Sequence, residues 1–405
     1  MTAFHQIKLG DALTLQRGFD ITKAEQTDGN VPIVSSSGIS SYHNKWKVKK
    51  PGLIIGRKGT LGTVHFIRSN CWPHDTTLWV KDFKGNDPLF LSFFLQTLKL
   101  ENFDVGSANP TLNRNHVHKI KVIFPKTIDT QKKIAAILSA YDELIENNRR
   151  RIALLEKLAE EIYREWFVRL RFPGHEKVRV TKGVPQGWSI QPASEAFHVM
   201  GGGTPKTEVA VYWDGEISFF TPKDSHFGFY VLDTEKTLTE KGLQSCSSQL
   251  FPAETIFITA RGTVGELCLA HRPMAMNQSC YALAPRGEQS VYFHFLAMKL
   301  AITYIKGISK SGVFDNIVID TFKNVPIRMP SAELLRSFNE MAKPIFAQIG
   351  CLLQTNVRLT ETRDKLLPRL ISGKLSVEDL GIQFPPGMAE ELTAATAEVS
   401  RKPQK

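Results

Sequence analysis

Cysteine is scarce in this chain and follows no pattern. Cys71, Cys246, Cys268, Cys280 and Cys351 are odd in number, widely scattered and include no C-x-x-C pair. That excludes a disulfide framework and a thiolate zinc site, and buried, reduced thiols are expected. Long apolar runs are also missing. None reaches the roughly 18 residues that a membrane span requires, and Met1–Gln6 lacks the charged-then-apolar opening of a signal peptide. A cytoplasmic protein with no membrane contact is the expectation.

What is present is a basic chain of 405 residues with a net charge of +11, too long for one hydrophobic core. The charge is uneven: residues 1–125 carry +7, residues 126–184 carry +4, residues 185–330 carry −1 and residues 331–405 carry +1. A basic balance suits a polyanionic partner, but charge alone says nothing for the third block.

The chain repeats itself. Gly59-Thr60-Leu61-Gly62 matches Gly262-Thr263-Val264-Gly265 at an offset of 203, and an apolar strand precedes each turn. The order is then kept: Asp75–Val80 aligns with Gln278–Leu283, Phe90–Leu95 with Tyr292–Ala297, Gly106–Asn109 with Gly307–Lys310, and Ile120–Pro125 with Val325–Pro330. Short β-branched and aromatic strands broken by Gly, Ser, Asn and Pro, plus a helix or two, predict an α+β module. Two such target modules are expected at 1–125 and 185–330.

Each module runs into a long helix, at 126–184 (with a linker) and at 331–382. Ile134, Tyr141, Asn148, Leu155 and Ile162 recur every seven residues, with Leu138, Ile145, Ile152, Ala159 and Trp166 four positions on. Ile137, Leu144 and Leu158 widen the stripe, and Asp129 is the expected N-cap. The second helix carries Phe338, Ile345, Leu352, Leu359 and Leu366. Pro344 and Pro368 are expected to bend or end it and Gly373 to stop it. Such stripes need a partner. An antiparallel, coiled-coil-like pair within one chain, related by a pseudo-two-fold internal repeat, is the expectation; homodimerising helices are the alternative. Asn148 and Asn356 interrupt the apolar rows, either to fix register or to face solvent. Residues 383–405 read as a flexible tail.

Spacings for catalysis are nearly absent. Gly201-Gly202-Gly203-Thr204-Pro205-Lys206 lacks the phosphate-cradling spacing. His116 and His118, two apart, read as surface histidines on one face of a strand. No Glu-x-Lys of a metal-dependent nuclease occurs, and Asp82-Phe83-Lys84 reads as loop. In Asn109-Pro110-Thr111-Leu112, leucine stands where an amino-methyltransferase needs an aromatic to stack an extruded base. No catalytic or metal-binding residue is expected.

The polar turns suit duplex readout instead, because Arg pairs with guanine, Asn and Gln with adenine, and Lys and Thr with phosphates. In module one the candidates are Ser36, Ser37, Tyr42, Lys45 and Lys47, then Arg57, Lys58 and Thr60, then Asn109, Asn113 and Arg114. In module two they are Thr204, Lys206, Thr221, Lys223 and Asp224, then Arg261, Thr263, Asn277 and Gln278.

Over residues 5–380 the chain resembles the DNA-specificity subunit of type I restriction–modification enzymes. The likeness rests on Gly202–Lys206 with Tyr212–Ile217 and Thr221–Asp224, the duplicated Gly-Thr-x-Gly turn, Gln131–Ala135 opening the first long helix, and Leu367–Leu375 ending the second. The usual helix pattern is broken at Gly350-Cys351. The resemblance implies a bipartite, asymmetric double-stranded DNA site, one half per module, with the helices as spacer. It also implies two methylation subunits carrying S-adenosylmethionine for adenine N6 methylation, and restriction/translocase subunits using ATP and Mg2+, with no cofactor on this chain. The competing readings are a self-contained methyltransferase or nuclease with fused recognition domains, and a non-catalytic helical scaffold.

Overall fold

The computed structural model describes residues 3–103, 111–225, 228–287, 290–308 and 316–382. It divides into two compact units, one formed by 1–145 with 358–405 and the other by 146–357. Both long helices cross that division, so each unit contains one recognition module and a segment of each helix.

The modules share one topology. In module one, Thr14–Arg17, Thr77–Asp82, Gly52–Gly56 and Val64–Ile67 form an antiparallel sheet in that order. In module two, Phe197–Gly201, Cys280–Pro285, Ile256–Thr259 and Leu267–Ala270 do the same. Tyr230–Val231 extends the second sheet as a parallel edge. A smaller mixed sheet accompanies each. Val31–Ser35 lies between an antiparallel partner, Gly38–His43, and a parallel one, Trp72–Pro73. Trp213–Phe220 lies likewise between Lys236–Leu238 and Met274–Met276. A third, two-stranded ribbon pairs each module's first strand with its last, Phe4–Lys8 with Lys121–Pro125 and Ser189–Pro192 with Pro326–Met329. The central strands Gly52–Gly56 and Ile256–Thr259 are buried throughout, as their unbroken apolar sequences require.

The helices predicted at 90–95 and 292–297 are Pro88–Gln96 and Val291–Ile308. Asp87 caps the first by accepting from Phe90 N at 2.7 Å. Proline follows it at the first helical position, where its missing N–H costs nothing. Buried Phe90 and Phe94 pack on Phe124, with ring centroids 5.5 and 5.1 Å away.

The first long helix is Ile128–Tyr163, continued by a π-helical turn at Arg164–Val168. Its cap is Thr127, whose Oγ1 accepts from Thr130 N at 3.2 Å, and the predicted cap Asp129 lies inside the first turn. The second long helix, Ala332–Ile371, runs unbroken through Pro344, Gly350 and Pro368. Local propensity predicted bends. Packing overrides it, because Phe338, Ala342, Phe346 and Ile349 are all buried around Pro344. Gly350 has a packing reason as well: a Cβ there would sit 3.1 Å from Nε2 of His271.

Within each unit the two helices run antiparallel. In unit one, Arg363 Nη1 donates to Asp142 at 2.5 Å, while Ile134 and Leu138 share a core with Leu370 and Ile371. In unit two, Asn148 Nδ2 donates to Asn356 Oδ1 at 3.0 Å, while the rings of Trp166 and Phe167 meet Phe338 at 5.8 and 5.0 Å. Asn148 is buried, so of its two readings the register pair holds. Ile134, Leu138, Ile145, Ile152, Ala159 and Trp166 are buried as the heptad reading requires, but Leu144 and Leu158 lie on the exposed flank. A two-helix seam covers a stripe narrower than the one predicted. The thiols also differ from expectation: Cys71, Cys268 and Cys280 are buried, Cys246 is half-buried and Cys351 faces out of its helix.

Candidate DNA-recognition rims

Both modules build the same edge from the same backbone bonds. In module one, Gly18 passes so close to the chain that a Cβ would lie 2.0 Å from the His74 carbonyl. In module two, Gly202 meets the Asn277 carbonyl at 2.3 Å. His74 N donates to Val34 O, and Asn277 N donates to Phe220 O. Arg57 N donates to Thr76 O at 2.9 Å, matching Ala260 N to Ser279 O at 2.7 Å. Leu112 N donates to Arg57 O, and Ile317 N donates to Ala260 O, each at 3.0 Å. The Gly-Thr-x-Gly turns close through Gly62 N to Gly56 O and Gly265 N to Thr259 O. Their four glycines, Gly59, Gly62, Gly262 and Gly265, all hold positive φ, where a side chain would be strained. In the glycine-rich run at 201–203, Gly202 and Gly203 serve close chain crossing. A Cβ on Gly203 would fall 2.3 Å from Ser247 Oγ.

The frame places Arg17 beside Asp75, with Nη2 to Oδ2 at 2.8 Å, and His74 on the other carboxylate oxygen at 3.1 Å. Burial alone would raise the Asp75 pKa, but the Arg17 hydrogen bond and the charges of His74, Arg17 and Lys58 hold it below the ordinary carboxylate value. Arg57 is pushed down by burial and by the neighbouring Arg17. The Thr76 carbonyl ties the edge together, accepting from Ser36 Oγ, Arg57 N and Lys58 N. In module two, Gly201 and Ala260 stand at the places of Arg17 and Arg57, and Thr204 Oγ1 donates to Oε1 of Gln278.

Asp20, His74 and Asp75 bring three ligand-type atoms within 4.8 Å of one another. With Arg17 on one Asp75 oxygen and Lys58 alongside, the cluster is poor in the negative charge that a cation would need. Its alternating donors and acceptors suit base edges better.

The candidates sort by geometry. Arg57, Lys58 and Thr60 meet at the module-one edge. At the module-two edge Thr204 meets Gln278, next to Asn277 in the chain, while Thr263 Oγ1, two residues after Arg261, donates to Pro222 O at 3.3 Å. Tyr42 and Ser37 are exposed nearby. Lys45 and Lys47 line a cavity of about 400 Å3 with Trp46 and Trp72, the Lys47 ammonium lying 4.9 Å from the Trp72 ring. Lys206 and Lys223 are exposed.

Other candidates are occupied internally. Ser36 is buried on Thr76. Asp224 is buried and accepts from Thr221 N, Thr221 Oγ1 and Glu235 N. Asn113 caps the helix Arg114–Lys119 by accepting from Asn115 N, with Arg114 exposed beside it. Asn109 lies outside the described residues. That helix also corrects the strand reading of His116 and His118. His118 is half-buried, and its Nε2 accepts from Leu15 N at 2.9 Å. The Asp-x-Lys loop is likewise structural, since Lys84 N donates to Asp82 at 2.8 Å. Arg17, Asp20, His74 and Asp75 were not foreseen. The repeat already set Asp75 against Gln278; extending it to Gly18 against Gly202 would have brought Arg17 to the same edge.

An α+β module repeated in tandem with polar loop edges is a recognition architecture. Two segments, 2–157 and 185–334, match the type I restriction modification DNA specificity domain, and the chain belongs to that family. It is 34% identical over 154 residues to the type I restriction enzyme MjaIX specificity subunit of Methanocaldococcus jannaschii, covering 37% of this chain and 36% of that protein. It is 29% identical over 195 residues to the HindI specificity subunit of Haemophilus influenzae, covering 47% and 42%. The chain thus matches less than half the length of these two relatives. Its fold is similar to that of a type I restriction–modification S subunit from M. genitalium, with a TM-score of 0.61 at 18% identity, covering 91% of this chain and 96% of that one.

Proposed function

We propose that this chain reads a two-part, asymmetric double-stranded DNA site, one half per module, and delivers it to catalytic partners. The supporting observation is the pair of rims: one backbone frame, bond for bond, carrying two unlike sets of polar side chains. Two copies of a frame with different readers are what an asymmetric site requires. The surplus of basic residues in 1–125 supplies phosphate contacts there.

In this reading the chain contributes no catalytic group and no cofactor. Two methylation subunits bring S-adenosylmethionine to adenine N6, and restriction/translocase subunits bring ATP and Mg2+. The place of action is the cytoplasm, where the DNA substrate lies. Among the described residues no helix is long and apolar enough to cross a membrane. The long helices, each continuing from one unit into the other, set the gap between half-sites.

The test is single-molecule sequencing of modified adenines in DNA methylated by the chain with its methylation subunit. Two short fixed segments separated by a constant number of unread base pairs are expected. One continuous site, or no methylated motif, refutes the reading. Inserting one heptad into both long helices should lengthen the gap and leave both half-sites unchanged. The purified chain alone should transfer no methyl group and cut no DNA; robust activity would favour a self-contained enzyme.

A further inference from the structure

Because the rims occupy equivalent places in one frame, a difference between their side chains is a difference in what each can read. Arg57 stands where module two has buried Ala260. Its main chain is pinned on both sides, N–H to Thr76 O at 2.9 Å and C=O to Leu112 N at 3.0 Å, so the root of the side chain is fixed. Its guanidinium makes a long bond, 3.5 Å to the main-chain oxygen of Asp75. The Asp75 carboxylate is taken by Arg17 on one oxygen, with His74 Nδ1 3.1 Å from the other. A fixed stem carrying a planar fork of donors matches O6 and N7 of guanine.

The equivalent of Asp75 in module two is Gln278, an exposed amide. The hydroxyl of Thr204 donates to its Oε1 and ties the amide to the module-two edge. One lone pair of Oε1 and the Nε2 donors stay available, the pattern that pairs with N6 and N7 of adenine. No arginine stands at the Ala260 or Gly201 positions to compete with it.

We propose that at this shared edge module one reads a G·C pair through Arg57 and module two reads an A·T pair through Gln278. This rests on the DNA-recognition reading above and adds the identity of one base pair in each half-site.

The experiment uses the chain assembled with its methylation subunit and maps methylated motifs for wild type, R57A, R57K and Q278A. R57A is expected to make one G·C position of one half-site degenerate, with a roughly 5- to 150-fold loss of preference. The other half-site stays unchanged in the same reads, which reports that the complex is folded and assembled. R57K keeps the charge, so methylation persists, but an ammonium lacks the planar fork and is expected to restore only part of the discrimination at that position. Q278A is expected to relax one A·T position of the opposite half-site. Unchanged motifs with R57A or Q278A, relaxation at the wrong base pair, or full discrimination with R57K each overturn the assignment while leaving two-part recognition standing. A wild-type complex with no two-part motif instead removes the recognition reading itself.

Discussion

Module one and module two carry the same main-chain hydrogen bonds and unlike electrostatics. At the module-one edge, Arg17, Arg57, Asp75 and His74 form a charged cluster. At the module-two edge the same places hold Gly201, Ala260, Gln278 and Asn277, with Thr204 oriented on Gln278. The backbone carries the shape and the side chains carry the message. A frame held by main-chain bonds and closely crossing glycines can exchange every exposed side chain without losing its geometry, which is how one duplicated fold can serve two different half-sites.

The largest expected effect tests the shared frame. Gly18→Ala and Gly202→Ala each drive a methyl into a backbone carbonyl, at 2.0 and 2.3 Å. Each should destabilise its own unit by about 1–3 kcal/mol or more, read as lost amide-exchange protection confined to that unit. Lost protection in one variant and none in the other would mean that the frames are not equivalent.

The next effect separates the edges by charge. In the assembled complex, Arg57→Ala and Lys58→Ala should each reduce the slope of log affinity against log salt by about one where the side chain meets a phosphate, and by less where it reads a base. Gln278→Ala should leave the slope unchanged. A slope change with Gln278→Ala would break the charged-versus-neutral contrast.

A smaller effect concerns orientation. Thr204→Val removes the hydroxyl that aims Gln278, with an expected cost of about 0.5–1.5 kcal/mol in module-two recognition. It should be read as partial relaxation at the same base pair that Gln278→Ala relaxes. Relaxation elsewhere would uncouple the two residues.

The smallest effect depends on pH. The folded-state pKa of Asp75 is depressed, so its contribution to stability is fully present above the unfolded carboxyl value of about 4 and is lost as pH falls through the folded value. Arg17 is half-exposed and solvent screens the pair, so the neutral-pH advantage of wild type over Asp75→Asn should be about 0–1 kcal/mol. Chemical denaturation at pH 7 and pH 3 should show that advantage shrinking towards zero. A constant difference would mean that the carboxylate charge does not matter there. Module two, with Gln278 at this place, has no corresponding transition.

Residue pattern alone established the duplication, the α+β modules, the two long helices and most of their seam. These are local or periodic properties: glycines at positive φ, alternating and heptad apolar spacing, and an offset of 201 to 205 kept from the first turn to the last strand. It took the packed fold to show that the second helix continues through Pro344 and Pro368, that Leu144 and Leu158 stay outside the seam, and that Asp224 and Ser36 face inward while Arg17 and Asp75 meet across 58 residues of chain. The physical reason is that a side chain's partner is set by which strands cross at a glycine and which carbonyl gathers the donors. Those are long-range events that no local pattern of residues encodes.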